Sequence, residues 1–197
     1  MSRRWFTAWA LILAVGAVAA PTRGMAQADP VGFINQLGTQ AIQVLGPSVP
    51  GPQRVQRFRE LFGSDFDLPG IARFTLGRYW NVATPAQQQQ YLRLLHEYLA
   101  QAYAGRLAEY AGEPFRAISA RQEGSDTIVA SEITRGSGSK IHVDWYLINS
   151  GGWKITDAYV AGVSMKITQR DEFASVIQQG GGQVQYLLDR LRQKVGG

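Results

Sequence analysis

Between Phe115 and Val160 the chain carries four consecutive segments rich in strand-forming residues: Phe115–Gln122, Thr127–Arg135, Lys140–Asn149 and Trp153–Val160. Only turn residues separate them, around Glu123-Gly124-Ser125, Gly136-Ser137-Gly138-Ser139 and Ser150-Gly151-Gly152. A parallel neighbour needs a crossover of a dozen or more residues, so links this short join antiparallel strands. A four-stranded meander is predicted. In its third strand Ile141, Val143, Trp145 and Leu147 alternate with His142, Asp144 and Tyr146. One face of the sheet is therefore apolar and has to be covered by something else in the chain.

Helical periods on either side supply the cover. Asp29-Pro30 reads as a cap and first-turn proline ahead of Val31, Ile34, Leu37, Ala41 and Leu45. A second helix is predicted over Arg54–Phe62, and a third, capped by Asp67, closes at Gly77. Thr84-Pro85-Ala86-Gln87 is a capping box opening a long helix that ends near Gly112. After the sheet a bend at Gly162 leads to a helix capped by Asp171, then to a last one through Val184, Leu187, Leu188 and Leu191. The fold class predicted is α+β: a four-stranded antiparallel meander covered on one face by N- and C-terminal helices.

The first 28 residues have a different character. Arg3 and Arg4 precede an almost unbroken apolar stretch from Trp5 to Ala20, and Ala26-Gln27-Ala28 suits a cleavage site. The apolar run is shorter than the ~20 residues of a spanning helix. A secretory signal over residues 1–28 is expected, followed by one exported, monomer-sized domain over residues 29–197. Ser2-Arg3-Arg4-Trp5-Phe6 also fits the core of a twin-arginine signal, so both export routes stay open.

Composition excludes several classes of function. The signal region holds Arg3, Arg4 and Arg23 and no acid, so the net charge of +5 falls to +2 over the remainder. A nucleic-acid binder would show a strong basic excess. With no cysteine there is no disulfide framework, thiolate metal site or cysteine nucleophile. His96 is expected to flank the apolar face of its helix and His142 to point away from the apolar sheet face; no metal-ligand spacing joins them. Gly136 to Lys140 lacks phosphate-loop spacing and lies between antiparallel strands, as a hairpin turn does. Asp144 and Asp157 fall on adjacent strands. They suit either acid/base work in a small pocketed enzyme of the NTF2-like type, or separate structural bonds at the sheet margin. No cofactor is implied.

A resemblance carries the reading further. Phe66-Asp67-Leu68-Pro69-Gly70-Ile71-Ala72-Arg73-Phe74-Thr75-Leu76-Gly77-Arg78-Tyr79-Trp80, followed by Thr84-Pro85-Ala86-Gln87, resembles a segment of the MlaC family. So do Val143-Asp144-Trp145-Tyr146-Leu147, with Trp145 where that family has Tyr, and Trp153-Lys154-Ile155-Thr156-Asp157, with Thr156 where an aromatic is common. Gly162-Val163-Ser164-Met165 with Arg170, Phe173 and Gly180-Gly181 continues the series in the family's order. The resemblance covers about Asp29 to Lys194.

It implies a periplasmic lipid carrier without catalytic groups. Such a protein shuttles phospholipid between an outer-membrane lipoprotein complex and an inner-membrane MCE-domain/ABC transporter, helping to maintain outer-membrane lipid asymmetry. A branch of the family accompanies hopanoid synthesis, which keeps a polycyclic cargo open. The pocket, between sheet and helices, is implied at Phe74, Leu76, Tyr98, Tyr103, Val143, Trp145, Leu147, Val163 and Met165. Each buried CH2 contributes ~0.8 kcal/mol, so acyl chains can be held by apolar walls alone.

Overall fold

The computed structural model describes residues 29–46 and 48–196, and the signal expected over residues 1–28 lies outside them. Helices α1 (Pro30–Leu45), α2 (Gly51–Asp65), α3 (Leu68–Leu76) and α4 (Pro85–Ala108) come first, with a 3-10 turn at Gly77–Asn81. Strands β1 (Phe115–Glu123), β2 (Asp126–Thr134), β3 (Lys140–Asn149), β4 (Trp153–Val160) and β5 (Val163–Ser164) follow, then α5 (Met165–Gln179) and α6 (Val184–Val195). The sheet is an antiparallel meander in chain order, β1-β2-β3-β4-β5. No described helix is long and apolar enough to cross a membrane.

The caps expected at Asp29, Asp67 and Thr84 form where the residues place them. Asp29 accepts from the backbone N–H of Val31 (3.0 Å) and Gly32 (2.9 Å) at the start of α1. At α4 the Gln87 N–H donates to Thr84 Oγ1 (3.2 Å) and the Thr84 N–H to Gln87 Oε1 (3.0 Å), a reciprocal capping box. Helix α2 starts earlier than its apolar period, at Gly51, because Pro52 is acceptable in a first turn.

The sheet has five strands where four are predicted. Ala161 (φ 49°) and Gly162 (φ 82°) both take positive φ, the requirement of a tight two-residue hairpin turn. The chain therefore doubles back at once, pairing Val160 with Val163 and Tyr159 with Ser164. Ser164 then caps α5 by accepting from the Ile167 N–H (3.0 Å), seven residues before the cap expected at Asp171. The other correction concerns the cover: α6 packs on α4 and α5 within the helical layer and not on the sheet.

Two cores result. Helices α2 to α6 bury a cluster around Tyr91, Leu95, Leu99, Phe173 and Leu188. The fully buried Tyr91 hydroxyl bonds Thr75 Oγ1 at 2.8 Å, and burial pushes that phenol far above its ordinary range. Separately, Ile34 and Leu37 of α1 pack on Ala117, Val129, Leu147, Trp153 and Ile155 of the sheet. Asn35 Oδ1 accepts the Ala117 N–H (2.9 Å) beside an irregularity in the β1–β2 register, satisfying a donor there.

Glycine in a helix interior costs ~1 kcal/mol relative to alanine, and Gly38 has a packing reason to be there. A Cβ at this position would meet the Phe115 ring at 2.2 Å, so only glycine lets α1 approach β1 this closely. Gly38→Leu is expected to lower the unfolding free energy by about 1–3 kcal/mol through overpacking. Chemical denaturation measures this, and undiminished stability would show that α1 does not rest on Phe115.

Candidate functional site

Side chains of β2 and β3 with the same parity face the helices: Val129, Ser131 and Ile133 oppose Trp145, Val143 and Ile141. Helix α1 covers only the half of this face that carries Val129 and Leu147. Over the other half lies a cavity of about 190 Å³. Its floor is Ile133, Ile141, Val143 and Trp145, continued on β4 by Ala158 and Val160. Its roof is Phe58 and Phe62 of α2 with Leu99, Tyr103 and Leu107 of α4, and one side is closed by Met165, Lys166 and Gln169 of α5.

Its walls are almost wholly apolar, and most polar groups among them turn into the protein. The Trp145 indole N–H donates to Ser131 Oγ (2.8 Å), which in turn donates to the Val143 carbonyl (3.1 Å). This holds the indole against the sheet with its one polar atom satisfied. Thr75 bonds Tyr91, and the Thr156 hydroxyl donates to the Tyr146 carbonyl (3.2 Å).

Two ties set the spacing between the layers. Phe66 makes a parallel bridge with Ile155, the Asp67 N–H donates to the Ile155 carbonyl (2.9 Å), and Lys154 Nζ donates to the Ser64 carbonyl. On the other side of β4, Asp157 accepts from Ser164 Oγ (2.5 Å), the Ala158 N–H (2.8 Å) and the Lys166 N–H (3.0 Å). This carboxylate fixes the first turn of α5 against β4.

Of the nine residues implied for a pocket, the structure brings Tyr103, Val143, Trp145 and Met165 together around the cavity. Leu147 has the right parity but lies under α1, fully buried in the second core. Leu76 is buried within the helical layer, and Tyr98 packs there on Phe173 with centroids 5.8 Å apart. Phe74 lies beneath Lys166 and Arg170, and Val163 is 53% exposed on the β5 turn. Wall residues not singled out beforehand include Phe58, Phe62, Leu107 and Ile141. The stripe Leu99, Tyr103, Leu107 at four-residue spacing and the shared parity of Ile141 with Val143 are the signals that would find them.

Comparison with known proteins settles the family. The family model described as MlaC protein matches residues 39–193. The chain belongs to the MlaC family. Another similar protein is the toluene tolerance protein ttg2D of Pseudomonas putida, 28% identical over 132 residues. That match takes in 66% of this chain and spans 61% of the relative's length. A solved structure of similar fold is the phospholipid-binding protein from Ralstonia solanacearum in complex with a phospholipid. Its TM-score is 0.71 at 24% identity, over 86% of this chain and 98% of that one.

In this MlaC-family member the two candidate carboxylates have separate partners. Asp144 lies on the sheet face turned away from the cavity and pairs with Arg121 Nη2 at 3.3 Å, while Asp157 makes the three bonds given above. No hydrogen bond joins the two among the described residues. His142 is 71% exposed beside Glu132, and His96 Nε2 bonds the Arg59 carbonyl at 2.9 Å on the flank of α4. Asp157→Ala removes a buried acceptor from three donors and is expected to cost about 2–3 kcal/mol of stability. Asp144→Ala breaks an exposed ion pair and is expected to cost under about 1 kcal/mol. Parallel urea titrations check the pair, and equal losses would mean that Asp157 does not tie α5 to the sheet.

Proposed function

We propose that this protein is a non-enzymatic lipid carrier that holds the acyl chains of a phospholipid between the helical layer and the uncovered half of the sheet. The observation that carries this reading is the cavity itself: Ile133, Ile141, Val143, Trp145, Leu107 and Phe62 surround a space without a paired acid and base. Such walls favour hydrocarbon by ~25 cal/mol per Å2 of apolar surface removed from water, with no bond made or broken. Membership of the MlaC family and the phospholipid held by the Ralstonia relative support the same reading.

The cavity, at about 190 Å³, is smaller than the 300–1,000 Å3 usual for small-molecule sites. Two acyl chains therefore require the roof of α2 and α4 to move away from the floor of β2 and β3. The ties at Asp67–Ile155 and Asp157–Ser164 both fall on the β4 side, whereas Leu107 and Ile141 meet the cavity only through apolar surface. Widening on that side leaves both of these ties intact. We place the carrier in the periplasm, exported through the signal at residues 1–28, and passing lipid between an outer-membrane complex and an inner-membrane MCE-domain/ABC transporter in support of outer-membrane asymmetry.

Native mass spectrometry of the protein after exposure to phospholipid vesicles tests the reading. A complex heavier by one phospholipid is expected, and a polycyclic cargo would declare itself by its mass in the same spectrum. Ala158→Phe, which adds bulk to the floor beside Trp145, is expected to reduce lipid occupancy at least about tenfold with the fold retained. A parent protein that takes up no lipid would overturn the proposal.

A further inference from the structure

The polar groups of the cavity wall are bonded into the protein or rest on a neighbouring ring, with two exceptions. Thr75, Thr156 and Asp157 have the partners described above, Gln169 Nε2 donates to Glu172 (3.1 Å), and the Lys166 ammonium rests 4.5 Å from the centre of the Phe74 ring. Tyr103, near the end of α4, and Tyr110, just past it, also line the cavity. Neither hydroxyl has a hydrogen-bond partner among the described residues. Burial raises the Tyr103 phenol above its ordinary range, against a smaller opposing pull from Arg106, so it stays a neutral donor.

Each of these rings carries a guanidinium. Arg106 Cζ lies 6.0 Å from the centre of Tyr103, and Arg135 Cζ lies 4.8 Å from the centre of Tyr110. Arg106 has no carboxylate at ion-pair distance among the described residues. Arg135 has Glu113, with Nε 4.0 Å from Oε1, and that same oxygen also accepts the Gly136 N–H (3.2 Å). Arg135 follows Ile133 of the cavity floor by two residues, so both cations stand where the apolar space meets solvent. Two under-neutralised guanidiniums and two free phenol donors are suited to a phosphate, which accepts charge-assisted hydrogen bonds from arginine in matching geometry.

We propose that Tyr103, Arg106, Tyr110 and Arg135 form a rim that binds the phosphate anion of the cargo's head group while its tails enter the cavity. This rests on the carrier reading above and narrows it: the protein selects phosphate-bearing amphiphiles over neutral lipids with the same chains.

The test uses protein stripped of lipid and titrated with dioleoylphosphatidylglycerol or dioleoylglycerol in the same detergent, with bound lipid counted by native mass spectrometry. The phospholipid is expected to bind at least about tenfold more tightly. The double variant Arg106→Gln/Arg135→Gln is expected to lose most of that preference by weakening the phospholipid alone. Arg106→Gln by itself, at an exposed position, gives a partial loss and serves if the double variant does not fold. Inorganic phosphate alone is expected to bind far more weakly than the phospholipid. Equal binding of the two lipids, or an unchanged preference in the variants, would overturn the rim and leave the carrier intact. Phosphate binding as tightly as the phospholipid would overturn the head-group assignment in favour of a free-anion site. Uptake of neither lipid would overturn the carrier reading and the rim with it.

Discussion

An antiparallel sheet with one apolar face cannot leave that face in water, and here two different structures share the task of covering it. Helix α1 lies directly on one half, brought close by the missing side chain at Gly38 and seated through Ile34 and Leu37. The other half faces a helical layer that has a core of its own, centred on Tyr91 and Leu95. Because that layer is already satisfied by its own packing, it does not collapse onto the sheet. The bridge at Phe66 and Ile155 and the carboxylate of Asp157 hold it at a fixed distance along β4. The cavity is what remains between two layers whose cores are separate.

That origin explains the chemistry of the walls. A space bounded by the interior faces of two layers inherits the side chains of interiors, so Val143, Ile141, Leu107 and Phe62 line it as they would line a core. The polar atoms that the fold needs nearby are bonded inward, as the Trp145 indole is to Ser131. In the proposed carrier, selectivity would reside at the edge where tyrosines and arginines meet solvent. Under the function proposed above, such walls would hold a cargo without activating it.

Much of this architecture is legible from the residues in order. Alternation and turn chemistry define β3 and β4 at their observed limits, and Thr84 with Gln87 marks the start of α4 through bonds made locally. Where the reading falls short, the deciding interaction is tertiary. Ser164, at the start of α5, is held by the hydrogen bond its hydroxyl donates to Asp157, seven residues away, and the two residues of β5 are too few to show a period. The site follows the same division. Parity correctly groups Val143, Trp145 and Leu147 on one face, but nothing local tells which end α1 will cover, and Leu147 falls under it. Tyr98 and Tyr103 are five residues apart on one helix, so they diverge in direction, one into the helical core and one to the cavity.

Contact between hydrocarbon and the uncovered half of the sheet is the central claim, and Trp145 reports on it directly. Phospholipid with brominated acyl chains quenches indole fluorescence only at close range. In a Trp80→Phe/Trp153→Phe variant, which leaves Trp145 as the tryptophan of the domain, brominated lipid is expected to quench emission where the unbrominated lipid does not. A Trp145→Phe variant, reporting from Trp80 and from Trp153 beneath α1, is expected to respond little. Quenching confined to Trp80 and Trp153, with Trp145 unaffected, would contradict the account.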